Sequence, residues 1–132
     1  MKERILIIED DALVAKSLSN LLVSSGYFIE GIASSCAKAE ELFILTQPDL
    51  VICNLYLKYK CGGSNFIDRL RKFRDIPVLH LSAYSHDSRL DEIMQTDFDI
   101  YVSTPYTKEQ FIFAVKKLLR KHPKVDGNVV HS

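Results

Sequence analysis

Residues 4–26 read RILIIEDDALVAKSLSNLLVSSG, and this stretch decides the fold. Its first five residues, Arg4–Ile8, form a dense aliphatic run closed at once by Glu9, Asp10 and Asp11. Leu13, Val14, Leu18, Leu21 and Leu22 then recur at helical spacing, and Gly26 is placed to end that helix. A strand can dispense with polar alternation only when both of its faces are covered. An almost wholly apolar strand feeding an amphipathic helix therefore predicts a parallel sheet with helices on both sides.

The same unit recurs along the chain. Residues 27–32 give a second, weaker strand, and Ser34 or Ser35 can cap a helix carrying Ala37, Leu42, Phe43 and Leu45 before Pro48 blocks it. Residues 49–53 (DLVIC) are a third strand, followed by a Lys- and Gly-rich loop over 58–63 and a helix with Phe66, Ile67, Leu70 and Phe73. Residues 76–81 (IPVLHL) make the fourth strand, and 85–95 a helix bearing Leu90, Ile93 and Met94. A short fifth strand over 100–102 precedes the break at Pro105. Thr107 then caps a last helix lined by Phe111, Ile112, Val115, Leu118 and Leu119, and Arg120, Lys121 and His122 suit the negative end of its dipole. The pattern predicts an α/β fold, a flavodoxin-like (βα)5 doubly wound five-stranded parallel sheet. With right-handed crossovers and strand order 2-1-3-4-5, its ligand crevice falls at the carboxyl ends of strands one and three.

The chain has 132 residues, the length of one domain. It reads as a domain over 1–122, with 123–132 as a flexible tail or the start of a linker. Lys and Arg number 17, as do Asp and Glu, so the net charge is zero. That balance argues against a direct nucleic-acid partner, whose binding depends on excess positive charge. Cys36, Cys53 and Cys61 form neither an even framework nor a CxxC pair and are expected to be reduced thiols, Cys61 an exposed one with no role. The opening MKERILIIEDDALV has too short an apolar run for a signal peptide, and no stretch approaches a membrane span. A cytoplasmic location with no membrane partner is the expectation.

In this fold the strand ends carry the chemistry. They hold Glu9, Asp10 and Asp11 after strand one, Asn54, Leu55 and Tyr56 after strand three, Ser82 after strand four, and Ser103 and Thr104 after strand five. Two adjacent carboxylates repel by roughly 4 kcal/mol at an effective dielectric of about 20, so a divalent cation between Glu9 and Asp10 is favoured. Oxygen-only ligands suit Mg2+. Capping of the following helix is the competing role, open to Asp10 and Asp11. Three acids at this point would repel the phosphate of a flavin or nucleotide. No base–nucleophile relay is evident, so an enzyme with turnover is not expected.

These blocks, ILIIEDD, PDLVICNLYL, IPVLHLSAYS and YVSTPYTKEQ, together resemble the receiver domain of two-component response regulators over nearly the whole chain. The resemblance implies phosphorelay signal transduction: an acidic pair and an aspartate bind Mg2+, and the aspartate accepts a phosphoryl group from a histidine kinase. A hydroxyl residue and a Lys before a cis-linked Pro bind the phosphoryl oxygens. Carried over, the metal set is Glu9, Asp10, position 54 and the Tyr56 backbone carbonyl. Ser82 is the hydroxyl switch, and Pro105 the proline. Two positions depart. The acceptor position is Asn54, and the Lys position is Thr104. An amide is not a carboxylate nucleophile, so no acyl phosphate forms at Asn54 by the family's route. The site loses one negative charge, which weakens Mg2+, and also loses its fixed cation. The resemblance thus implies an atypical, phosphorylation-independent pseudo-receiver acting through protein contacts. The alternative is a conventional phospho-accepting receiver whose aspartate was exchanged for Asn in this version of the chain. The signalling partner, a histidine kinase or a downstream output protein, is expected on the face around Leu90, Met94, Tyr101, Tyr106 and Phe111.

Other residues carry plainer expectations. Tyr101 sits where receivers place a rotating aromatic; its hydroxyl either exchanges partners with Ser82 or simply packs half-buried. His80, inside an apolar strand, reads as a satisfied core histidine. Asp97 and Asp99 fall in the turn before the fifth strand. Lys58, Lys60, Arg69, Arg71, Lys72 and Arg74 read as a solvated basic face, and Gly62–Gly63 as loop flexibility, without a phosphate-binding pattern.

Overall fold

The computed structural model describes residues 2–82 and 96–123. Five parallel strands form one sheet in the order β2-β1-β3-β4-β5: β1 (Arg4–Ile8), β2 (Phe28–Ala33), β3 (Leu50–Asn54), β4 (Val78–Ser82) and β5 (Asp99–Ser103). The helices are α1 (Ala12–Ser24), α2 (Cys36–Thr46), α3 (Leu55–Lys60), α4 (Ser64–Phe73) and α5 (Lys108–Lys121). This is the architecture and strand order expected from the sequence. The helix expected over 85–95 lies outside the described residues, as do Leu90 and Met94 and residues 124–132.

The two-residue period of the strands sorts the core into two layers. Ile5, Ile7, Leu50, Ile52, Leu79 and Ile100 face α1 and α5, where Leu18, Leu22, Phe111, Val115 and Leu118 meet them. Leu6, Ile8, Val51, Cys53 and Val78 face the other way, against Phe43 of α2, Leu57 of α3, and Phe66 and Leu70 of α4. Each fully buried Leu, Ile or Phe contributes roughly 1.5–3 kcal/mol, so the paired layers are the main source of stability.

Local chemistry fixes the helix ends. Asp11 caps α1, its Oδ1 accepting from the N–H groups of Leu13 at 2.9 Å and Val14 at 3.2 Å. Ser35 rather than Ser34 caps α2. Thr107 and Gln110 form a reciprocal capping box on α5. Gly26 closes α1 with φ +97°, a conformation that L side chains rarely adopt.

Several expectations need correction. Leu13 (81% exposed) and Leu45 (72%) do not face the core; α1 buries Ala15, Leu18 and Leu22 instead. Val14 and Phe73 are exposed too. The loop expected over 58–63 begins as helix: α3 runs to Lys60, and only then do Gly62 and Gly63 turn the chain with positive φ. Cys36 and Cys61 are not reduced thiols. They form a disulfide with Cα atoms 5.6 Å apart, and Cys61 is buried; Cys53 is the free cysteine, also buried. Among the described residues no helix is long and apolar enough to cross a membrane.

Candidate functional site

At the carboxyl ends of β1, β3 and β4 the structure opens a cavity of about 340 Å³ lined by Glu9, Asp10, Asp11, Val14, Asn54, Tyr56, Leu81, Ser82, Thr104 and Tyr106. Of the strand-end residues singled out from the sequence, Glu9, Asp10, Asp11, Asn54, Tyr56, Ser82 and Thr104 share this site, whereas Leu55, Ser103 and Tyr101 do not line it. The Thr104–Pro105 peptide is cis, and the Thr104 N–H donates to the Ser82 carbonyl at 2.9 Å.

Glu9 is 3% exposed, and both of its carboxylate oxygens are engaged. Oε1 accepts from Asn54 Nδ2 at 2.9 Å, and Oε2 from the Asp11 N–H at 3.0 Å. Burial raises the Glu9 carboxyl above its ordinary value, Asp10 adds to the rise, and the two hydrogen bonds counter it. Both ends of the Asn54 amide are engaged, because its Oδ1 accepts from the Leu57 N–H at 2.9 Å and so caps α3. Asp10 lies more in the open, with Lys60 Nζ 3.9 Å from its Oδ2.

These contacts decide how a divalent cation would fare. An amide N–H₂ faces Glu9 where a cation would need an oxygen. Tyr56 belongs to the first turn of α3 and lines the cavity. Among the described residues no group of three or more His, Cys, Asp or Glu is placed to hold a metal ion. As arranged, Glu9 and Asn54 are engaged with each other and with backbone N–H groups instead of being left open toward a cation.

Of the two roles open to Tyr101, the structure shows the half-buried one, with the hydroxyl bound inward instead of facing solvent. Ser82 Oγ pairs with Ser103 Oγ at 2.9 Å, not with Tyr101. The Tyr101 hydroxyl instead accepts from Lys58 Nζ at 3.3 Å, while its ring stacks on His80 with centroids 4.1 Å apart.

Lys58 is the residue that sequence reading missed. It is 5% exposed, and its Nζ lies 3.3 Å from His80 Nδ1 as well. Cys53, His80 and Tyr101 occupy one rung of β3, β4 and β5, and Lys58 lies across it. On the far side of the imidazole, Nε2 is 2.8 Å from Asp99 Oδ1, and Asp99 also accepts from both Arg71 terminal nitrogens and the Thr96 hydroxyl. Asp99 therefore opens β5 and anchors a buried network rather than decorating a turn. The basic stretch is a solvated face only in part: Lys60, Arg69 and Lys72 are exposed, but Lys58 is buried, Arg71 is bound to Asp99 and the Ile76 and Phe98 carbonyls, and two Arg74 nitrogens are buried without a hydrogen-bond partner.

His80 is the satisfied core histidine expected. Burial is the main force holding it down to about 4, helped by nearby Lys58 and Arg71 and opposed by its hydrogen bond to Asp99. The neutral ring donates from Nε2 to Asp99 and accepts at Nδ1 from Lys58. The sign of the linkage follows: an unfolded histidine takes up a proton near pH 6.5, whereas the folded one does not until about pH 4. Folding stability should therefore fall by about 3 kcal/mol as pH drops through this window. Urea unfolding at a series of pH values checks it, and a flat profile between pH 7 and 5 would show that His80 is not held neutral.

The model of the response regulator receiver domain matches residues 5–116. Among curated relatives, the DNA-binding dual master transcriptional regulator RpaA of Synechocystis is 32% identical over 98% of this chain and 54% of its own length. Response regulator MprA of Mycolicibacterium vanbaalenii is 29% identical over 96% of the chain and 54% of its length. This chain thus spans about half the length of these relatives. Of solved structures, the PhyR receiver domain of Erythrobacter litoralis superposes with a TM-score of 0.77 at 24% identity, covering 96% of each chain. The N-terminal domain of a response regulator/sensory box/GGDEF protein from Carboxydothermus hydrogenoformans gives 0.75 at 27%, covering 89% of this chain and 94% of its own. Family match and strand order agree from β1 into α5, and the chain belongs to the response regulator receiver domains.

Proposed function

We propose that this receiver signals without accepting phosphate, its site held in one state by its own side chains. The observation that carries this reading is the double use of Asn54. Its N–H₂ donates to Glu9 and so supports the buried carboxylate without a cation, and its carbonyl caps α3. No carboxylate nucleophile is present at position 54, and Thr104 offers no cation to a phosphoryl oxygen. Mg2+ binds weakly at best, because position 54 supplies an amide instead of a carboxylate and its N–H₂ group already faces Glu9.

Output then goes by contact with a signalling protein, a kinase or an output protein, and not by turnover. The β5–α5 side presents half-buried Tyr106, stacked on Phe111, as the centre of that face. Phe111 itself is fully buried and supports the surface instead of lining it, and Tyr101 is held inward by Lys58.

Incubation with a small acyl-phosphate donor and Mg2+, followed by intact-mass measurement, tests the reading. No phosphorylated species is expected, and Mg2+ at millimolar concentration should leave the unfolding midpoint unchanged. A covalent phosphoryl group on this chain's site would defeat it.

A further inference from the structure

The Cys36–Cys61 disulfide sits at one end of the helix that Asn54 begins. Cys61 is the C-cap of α3, its N–H donating to the Leu57 and Lys58 carbonyls, and Asn54 is the N-cap. Between the two caps stands Lys58, reaching His80 and Tyr101. A helix of six residues has too few internal hydrogen bonds to persist alone, so its state depends on its anchors. At the Cys61 end these are the covalent bond to Cys36, the first residue of α2, the turn hydrogen bonds from the Gly62 and Gly63 N–H groups to the Tyr59 and Lys58 carbonyls at 3.1 and 2.8 Å, and a long hydrogen bond of 3.5 Å from Arg69 Nη2 to the Cys61 carbonyl. Of these the disulfide is the one covalent tie to another element. The third cysteine stands aside: Cys53 is fully buried, and its thiol is pushed up to about 12 by that burial, so it does not compete in exchange.

We propose that Cys36–Cys61 is a thiol–disulfide exchange site through which a dithiol reductant sets the conformation of α3, and with it the Lys58 contact to Tyr101. The inference rests on the reading of this receiver as independent of phosphate, and supplies the input that such a receiver lacks. Disulfides outside oxidising compartments are mostly transient and sensing, which suits a bond placed beside a signalling site. Of the two sulfurs, the partly exposed Cys36 is the one open to attack. A reductant thiolate attacks Cys36 Sγ, the protein S–S bond breaks, and Cys61 leaves as a thiolate that takes a proton from water. The second thiol of the reductant then attacks the mixed disulfide and releases Cys36. Two electrons pass to the protein, and the reductant ends as its own disulfide.

The experiment uses the full chain, oxidised, with and without dithiothreitol. Alkylation counts the thiols and hydrogen exchange read by mass spectrometry follows residues 55–60. Under native conditions the reductant should expose two further alkylatable thiols. It should speed exchange in α3 by about tenfold or more while β1 and β3 stay protected. A Cys36→Ser/Cys61→Ser chain should exchange fast from the outset and ignore the reductant; if that variant does not fold, the two states of the parent chain still decide the matter. The proposal fails if the bond resists reduction until denaturant is added, or if reduction leaves α3 exchange unchanged. Phosphoryl labelling, by contrast, would overturn the phosphate-independent reading and leave the thiol and exchange results standing.

Discussion

Asp99→Ala is expected to lower the unfolding free energy by about 3–5 kcal/mol, the cost of removing one partner from a buried ionic network. Asp99 holds three elements together: His80 of β4 at 2.8 Å, Arg71 of α4 at 2.9 Å and Thr96 at 2.9 Å, all from β5. Its carboxyl lies below the usual range even though burial raises it, because the hydrogen bonds from His80 and Arg71 outweigh that cost. Without it, Lys58 and Arg71 are two cations sharing a poorly solvated region with no anion between them, and the His80 Nε2–H loses its acceptor. Asp99→Asn keeps an acceptor oxygen for His80 while removing the charge, so it should cost less than the alanine. Urea denaturation of the three proteins ranks them. A loss below about 1 kcal/mol for Asp99→Ala would mean that water or rearranged side chains replace the carboxylate, and that the network is not a structural unit.

That network also marks where the sequence stopped being legible. The strands could be read because both of their faces are covered, so Arg4–Ile8 and 76–81 carry unmistakable apolar runs. Asp11, Ser35 and Thr107 could be read as caps because capping is local. Lys58 could not. It lies in a helix of barely more than one turn, too short to show periodicity, among Tyr59, Lys60 and two glycines that suggest a loop. Its burial depends on what β4 and β5 place opposite it, namely His80 and Tyr101, more than twenty residues away. The one available signal was the cluster Leu55, Leu57, Lys58 and Cys61, which all turn inward. The disulfide was hidden for the same reason: Cys36 and Cys61 are 25 residues apart and meet only because α2 and α4 pack side by side. At the strand ends, the sequence showed which residues would gather, and not that Asn54 would spend both ends of its amide on Glu9 and Leu57.

Asn54→Asp turns that last arrangement into a prediction whose sign depends on Mg2+. The exchange replaces an N–H donor 2.9 Å from Glu9 Oε1 with a second carboxylate oxygen. Two charges at that spacing repel by roughly 6 kcal/mol at an effective dielectric of about 20, so the pair cannot both ionise cheaply. Glu9 is already raised by burial, and the new neighbour raises it further. An acid whose folded value lies above its unfolded one contributes stability at low pH and loses it as pH rises. In the presence of a chelator, the variant should therefore be less stable than the parent at pH 8, by about 2–4 kcal/mol, and approach it near pH 5. Mg2+ replaces the missing proton. At a hundred times its dissociation constant a cation returns about 2.7 kcal/mol, so millimolar Mg2+ should raise the variant's unfolding midpoint by several degrees and leave the parent's where it was. Phosphotransfer is a separate matter: with Thr104 in place of a lysine, labelling by an acyl-phosphate donor should stay weak in Asn54→Asp and increase when Thr104→Lys is added. If the single variant matches the parent in chelator and ignores Mg2+, then Glu9 and position 54 do not form the coupled pair on which the phosphate-independent reading depends.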